Sequence, residues 1–156
     1  MYDDLVRFLH RKVWDADRAH DLAQETFVKA LDHDPDNPRA FLFTIAANLA
    51  RDEARAAMRQ KAHLKLITVE AVDRAYPDPD HALDEKEREQ TVRRALDGLS
   101  DKDRDVLLLW DAGLSYREIA SQTGLAVGAI GTTLHRARKR LVELYETMEG
   151  RNAASR

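Results

Sequence analysis

Apolar residues recur every three or four positions through almost the whole of this chain, and nowhere do β-branched residues alternate with polar ones for long enough to make a strand. A pattern of that period buries its apolar side by packing helix on helix, so the sequence predicts an all-α fold. Punctuation then divides it. HDPDNP, from His33 to Pro38, interrupts the periodic run, and AVDRAYPDPD, from Ala71 to Asp80, sets two prolines among acidic residues. That composition suits an exposed connector rather than a packed element. The expected architecture is two small helical domains, residues 1–65 and 81–149, joined by a flexible linker over 66–80 and followed by a tail over 150–156.

Within the first domain the pattern predicts helices from about Asp3 to Val13 and from about Ala19 to Leu31. The second of these carries Leu22, Ala23, Phe27, Ala30 and Leu31 on its apolar side. Asn37 is placed to cap a long helix that has Pro38 in its first turn and runs to about Lys61, with Phe41, Leu42, Ile45 and Leu49 facing the core. In the second domain a helix from about His81 to Asp97 stops at Gly98. Ser100 with Asp103, and Ser115 with Glu118, form two capping-box patterns, opening helices that end near Ala112 and Thr123. A last helix, from about Val127 to Met148, turns Ile130, Leu134, Ala137, Leu141 and Leu144 inward. Ala126 stands where a serine or threonine would cap it, a loss of about 1 kcal/mol at its first turn. Two helices joined by a tight turn at Gly124, the second of them basic, describe a helix-turn-helix.

Several function classes drop out on composition. At 156 residues and 44% hydrophobic, the chain has enough apolar material to fold unaided, yet no apolar run approaches the roughly 20 residues that span a bilayer. MYDDLVRFLHRKVWD lacks the basic start and apolar core of a signal peptide, which makes the cytoplasm the expected location. Without cysteine there is no disulfide or thiolate zinc site, and the histidines are scattered, so neither metal nor cofactor is expected. Asp32, Asp34 and Asp36 begin like a calcium loop, but its sixth position is Asn37 instead of glycine and its twelfth is Phe43 instead of glutamate. No constellation of residues supports an enzyme. Trp14 and Trp110 read as core or rim aromatics.

The net charge of -3 conceals a polarised distribution. Arg39 to Lys65 and HRARKR, from His135 to Arg140, are locally basic, whereas Asp15 to Asp36 and Asp73 to Glu89 are acidic. This arrangement suits a chain that holds a polyanion with two patches and a protein partner elsewhere. On the last helix Gly128, Gly131, Thr132, His135, Arg136 and Lys139 lie opposite the inward stripe, where small residues permit close approach to a groove and Arg136 offers a fork to guanine or phosphate. On the long helix Thr44, Asn48, Arg51, Arg55 and Arg59 recur at four, three, four and four, a single face away from Ile45 and Leu49. Asparagine disfavours a helix interior by about 0.5 kcal/mol, but its amide both donates and accepts hydrogen bonds. The residues by themselves leave another reading open for each face, an ordinary solvated surface with an incidental asparagine or an excess of arginine.

Four blocks in order, DLAQETFVKAL (Asp21 to Leu31), FLFTIAANLARDEAR (Phe41 to Arg55), LSDKDRDVLLL (Leu99 to Leu109) and LSYREIASQTGLAVGAIGTTLHRARKRL (Leu114 to Leu141), resemble the extracytoplasmic-function sigma factors. These are small two-domain initiation subunits of bacterial RNA polymerase; HDPDNP and PRAFLFTIAANL look most similar to their iron-uptake branch. The resemblance implies that Asp21, Gln24, Glu25 and Val28 contact the clamp helices of the polymerase large subunit. It implies that Asn48 meets a base of the separated non-template strand at the minus-ten element, with Thr44, Arg51, Arg55 and Arg59 along that strand; Phe41 and Phe43 flank this strip in the sequence, where one of them is placed to stack a base. Gly128, Thr132, His135, Arg136 and Lys139 would hold the minus-thirty-five element as duplex; Gly131 and Thr133 stand where the family often has basic or polar side chains. The implied partners are core RNA polymerase, promoter DNA and an anti-sigma factor or membrane regulator, with no small-molecule substrate. Two other classes compete: a helix-turn-helix regulator acting on duplex DNA without polymerase, which has no use for the Asn48 strip, and a sigma-mimicking antagonist, which has no use for HRARKR.

Overall fold

The computed structural model describes residues 1–67 and 81–154, and these form helices with no strand among them. The chain divides into two units, Met1–Asp73 and Arg74–Arg156. The linker expected over 66–80 falls, from residue 68 onward, outside the described residues.

The first unit packs α1 (Tyr2–Val13), α2 (Ala16–Ala30) and α3 (Pro38–Ile67) against one another. Acidic Asp3 and Asp4 open α1 and basic His10, Arg11 and Lys12 close it, each sign at the end the helix dipole favours. Trp14 ends the helix in the left-handed region at φ 57°, with its ring beside His10 and Arg11. The Asp15 side chain then accepts the Arg18 N–H at 3.1 Å, a cap that starts α2 three residues earlier than periodicity indicates. Asn37 caps α3 as expected, its side-chain oxygen accepting the Ala40 N–H at 3.1 Å.

Leu5, Phe8 and Leu9 of α1 meet Ala19, Leu22 and Ala23 of α2 and Leu42, Phe43, Ala46 and Ala50 of α3 in one core. Two sequence expectations need correction here. The buried side of α3 is turned by about one residue: Phe43 is fully buried, edge-on to Phe8 with centroids 5.4 Å apart, while Phe41, Ile45 and Leu49 are half-buried. Leu31 leaves the apolar stripe of α2 and is 77% exposed, because the helix ends at Ala30. Thr26 takes a core place instead, its hydroxyl donating to the Leu22 carbonyl at 2.7 Å. Beyond the core, every residue from Ala54 to Ala62 is exposed, and α3 continues past Lys61 on sequence that holds neither glycine nor proline.

The second unit holds α4 (His81–Asp97), α5 (Asp101–Asp111), α6 (Tyr116–Thr123) and α7 (Val127–Ala154), the last running six residues past Met148. Gly98 follows α4 where a Cβ would stand 2.9 Å from the Leu144 side chain, so α4 turns tightly over α7. Ser115 and Glu118 complete a reciprocal capping box, and Gly124 ends α6 at φ 75°, a conformation suited to glycine. Ser100 accepts the Asp103 N–H at 3.2 Å, but the Asp103 carboxylate reaches across to α7 instead of back to the cap. Val106, Leu109, Leu114, Ile119, Ile130 and Leu134 fill the interior between α5, α6 and α7. The helix-turn-helix read from the sequence is thus α6 and α7 about Gly124 and Leu125.

Candidate nucleic-acid interface

Turning Leu42, Phe43, Ala46 and Ala50 inward leaves Thr44, Asn48, Arg51, Arg55 and Arg59 exposed together on the far side of α3. Thr44 spends its hydroxyl on the Ala40 carbonyl at 2.8 Å. Asn48 and the three arginines make no hydrogen bond or ion pair with the described residues. Three guanidinium groups and an amide with its full set of donors and acceptor therefore lie in a row, open to a ligand. Met58, 74% exposed, adds an apolar side chain one turn past Arg55. Phe43 cannot stack a base, being buried to 0% exposure; Phe41, half-buried beside His33 at 5.3 Å, is the remaining aromatic.

On the opposite side of α3, Glu53 receives both edges of the Arg18 guanidinium, Nε to Oε1 at 2.7 Å and Nη2 to Oε2 at 2.6 Å. This two-pronged bond from α2 holds the Glu53 carboxyl below its ordinary pKa and raises that of Arg18. Beyond Arg18 the surface of α2 presents Asp21, Gln24, Glu25 and Val28, all exposed. Val28 and Leu31, at 64% and 77% exposure, give this acidic surface an apolar end. Periodicity concealed Leu31 by assigning it to the core.

In the second unit Gly128, Thr132, His135, Arg136 and Lys139 are exposed along α7, whereas Thr133 is buried. Arg136 is not a free fork. Its Nε and Nη2 donate to the two Asp103 oxygens at 3.3 and 2.7 Å, which raises its pKa further and ties α7 to α5. Arg138 lies over the Trp110 ring at 5.8 Å, and Arg140 stands 3.8 Å from Glu143. Trp14 and Trp110 are both half-buried, in keeping with rim positions. Among the described residues no cluster of histidine, aspartate or glutamate could hold a metal, and no helix is long and apolar enough to cross a membrane.

Two known modules match the residues that carry the α3 and α7 surfaces. Sigma-70 region 2 matches residues 1–60, and Sigma-70, region 4 matches residues 89–141. The chain is 32% identical over 150 residues to the RNA polymerase sigma factor YlaC of Bacillus subtilis, covering 90% of this chain and 84% of that protein. It belongs to the sigma-70 family, among the extracytoplasmic-function sigma factors. This sigma factor is also 33% identical over 131 residues to the ferric citrate uptake sigma factor FecI of Escherichia coli, across 81% of this chain and 75% of that one. Among solved structures it resembles the sigma factor RpoE of Bartonella quintana, crystallised with the anti-sigma factor NepR, at TM-score 0.64 and 29% identity over 93% of this chain and 91% of that chain. It is an alternative sigma factor that directs RNA polymerase, and sigma factors are regulatory transcription factors. A helix-turn-helix regulator acting without polymerase is not favoured, since residues 1–60 carry region 2.

Proposed function

We propose that this sigma factor divides promoter recognition between a strand-holding module over residues 1–65 and a duplex-holding module over 81–149, with 66–80 as the connector and 150–156 as a tail. The observation that carries the reading is the row of Asn48, Arg51, Arg55 and Arg59, exposed, in line and unpaired among the described residues. Arginines so placed track the phosphates of a separated strand, while the asparagine amide meets the edge of an unstacked base. Binding energy gained only with separated DNA favours the melted promoter over the closed one, and the polymerase carries out the chemistry. On α7, Gly128, Thr132, His135, Arg136 and Lys139 hold the upstream element as duplex.

Asp21, Gln24, Glu25 and Val28 of α2 form the surface offered to the clamp helices of core polymerase. Docking there brings both DNA-holding modules to one promoter, and the second engagement then proceeds at high effective concentration. An anti-sigma protein that covers these surfaces is a further partner, a reading supported by the complex in which the RpoE neighbour was solved. Run-off transcription with core polymerase on genomic fragments tests the whole scheme. Discrete transcripts that require the chain are expected; core polymerase giving the same transcripts without it would end the proposal.

A further inference from the structure

The half of α3 that carries most of the arginine row does not lean on its own unit. Leu42, Phe43, Ala46 and Ala50 anchor the helix in the core, and the Arg18 guanidinium ties Glu53 to α2 just before the support ends. All nine residues from Ala54 to Ala62 are exposed. A helix in a folded protein draws most of its stability from packing, and without it one shorter than roughly 12 to 15 residues is marginal in water. This stretch continues an existing helix and is spared the cost of nucleation, but each residue added to it gains little.

The charges weigh against it further. Arg51, Arg55 and Arg59 follow one another at i, i+4, the spacing at which like charges weaken a helix. From Ala54 to Ile67 the sequence holds no aspartate or glutamate to pair with them, and Glu53 is already engaged by Arg18. The helix dipole favours cations in the last turn, which these three precede. A row assembled for a polyanion thus opposes the helix that displays it until phosphates stand beside the guanidinium groups. We propose that the stretch from Ala54 to Ala62 is a helix whose formation is coupled to its ligand: without DNA it opens and closes readily, and a separated strand lying along Arg51, Arg55 and Arg59 closes it. The inference rests on the reading of the α3 row as strand-holding. Strand and helix stabilise each other by the same free energy, so affinity for the strand depends also on residues that never touch it.

Ala57 is such a residue, two positions from both Arg55 and Arg59 and therefore on the reverse of the helix. Ala57→Gly leaves every guanidinium in place and the core untouched, but glycine makes the helix harder to form. Core polymerase is assembled with wild-type, Ala57→Gly and Arg55→Ala chains, and affinity is measured for a promoter fragment that carries a mismatched, permanently open bubble. Amide hydrogen exchange is followed in the wild-type holoenzyme with and without that fragment. Amides from Ala54 to Ala62 should exchange rapidly in the holoenzyme alone and roughly tenfold or more slowly with the fragment bound. Ala57→Gly should weaken bubble binding roughly two- to fivefold, with the melting temperature of the free chain unchanged. Exchange that the fragment leaves unaltered, whether fast or slow, overturns the coupling, as does wild-type bubble affinity in Ala57→Gly when Arg55→Ala is weakened. If Arg55→Ala also binds the bubble as the wild type does, the strand-holding reading of α3 fails first and the coupling falls with it.

Discussion

The two candidate DNA surfaces present charge in opposite ways. Along α3 the arginines stand unpaired among the described residues, on a helix that is exposed all round from Ala54 to Ala62, so their side chains are adaptable. Along α7 the guanidinium of the candidate surface, Arg136, is tied to Asp103, so that charge is held in place before any ligand arrives. A separated strand has no fixed shape and is best followed by mobile cations. A duplex is rigid and rewards groups already in position, since less side-chain entropy is lost on binding. The difference between the units is thus a difference in what their ligands demand.

The sharpest way to break this comparison is Asn48→Ala. An amide that meets an unstacked base is worth about 1–3 kcal/mol, so promoter opening is expected to fall roughly five- to 150-fold while closed-complex affinity holds. Because alanine is the better helix former by about 0.5 kcal/mol, the variant should melt no lower than the parent. Permanganate reactivity of the opened strand, gel shift of the closed complex and thermal unfolding separate the three quantities. An equal loss in opening and in closed binding would remove Asn48 from the strand-holding role.

Arg136 probes the opposite, fixed arrangement. Arg136→Ala should weaken upstream duplex binding roughly five- to tenfold, by deleting a contact of the kind a guanidinium makes to guanine or phosphate. Asp103→Asn keeps the arginine and removes its anionic support, so the expected result is a smaller loss, about two- to threefold, with blurred sequence preference. If Asp103→Asn tightens binding to every duplex alike, Asp103 merely cancels charge and fixation brings no gain. Smaller again are the single-arginine changes on α3. Arg51→Ala, Arg55→Ala and Arg59→Ala should each lower the slope of log affinity against log salt by about 0.7 on single-stranded DNA. Slopes that stay at the parent value would mean the strand does not run along that face.

Much of this was legible in the sequence because it is written locally. Caps such as Asn37, Ser100 and Ser115, and the turn at Gly124, depend on a few adjacent residues and sit where spacing put them. The strip on α3 was legible for a similar reason, since residues three and four apart on a helix share a side whatever else the fold does. What depends on partners distant in sequence was not legible. Nothing near Arg136 announces Asp103, which is 33 residues away, or hints that Arg18 closes on Glu53, 35 residues away. The same limit explains Phe43, whose burial is decided by Phe8 on another helix, and Tyr116, whose place over Gly131 needs the turn between α6 and α7. Leu31 looked like core only because periodicity does not record that the helix has ended.

The Arg18–Glu53 pair sharpens the comparison with the smallest effect, because it is a fixed charge in the unit whose candidate DNA-facing arginines are unpaired among the described residues. Arg18 holds the Glu53 carboxyl below its ordinary pKa, so the unfolded chain takes up this proton at a higher pH than the folded one. The contribution is therefore fully present above the ordinary carboxylate value of about 4.3 and is lost as pH falls through the lower folded value. Arg18 is 42% exposed and Glu53 31%, so solvent screening keeps the total to about 1 kcal/mol or less. Melting curves from pH 6 to pH 3 test this: the stability gap between the parent and Glu53→Gln should close in the acid part of that range. At pH 7 the same variant should open promoters almost as well as the parent, because Glu53 lies on the side of α3 away from Asn48. Opening reduced as far as in Asn48→Ala would mean that the strip is positioned through α2, and the division into free charge for strands and fixed charge for duplex would no longer hold.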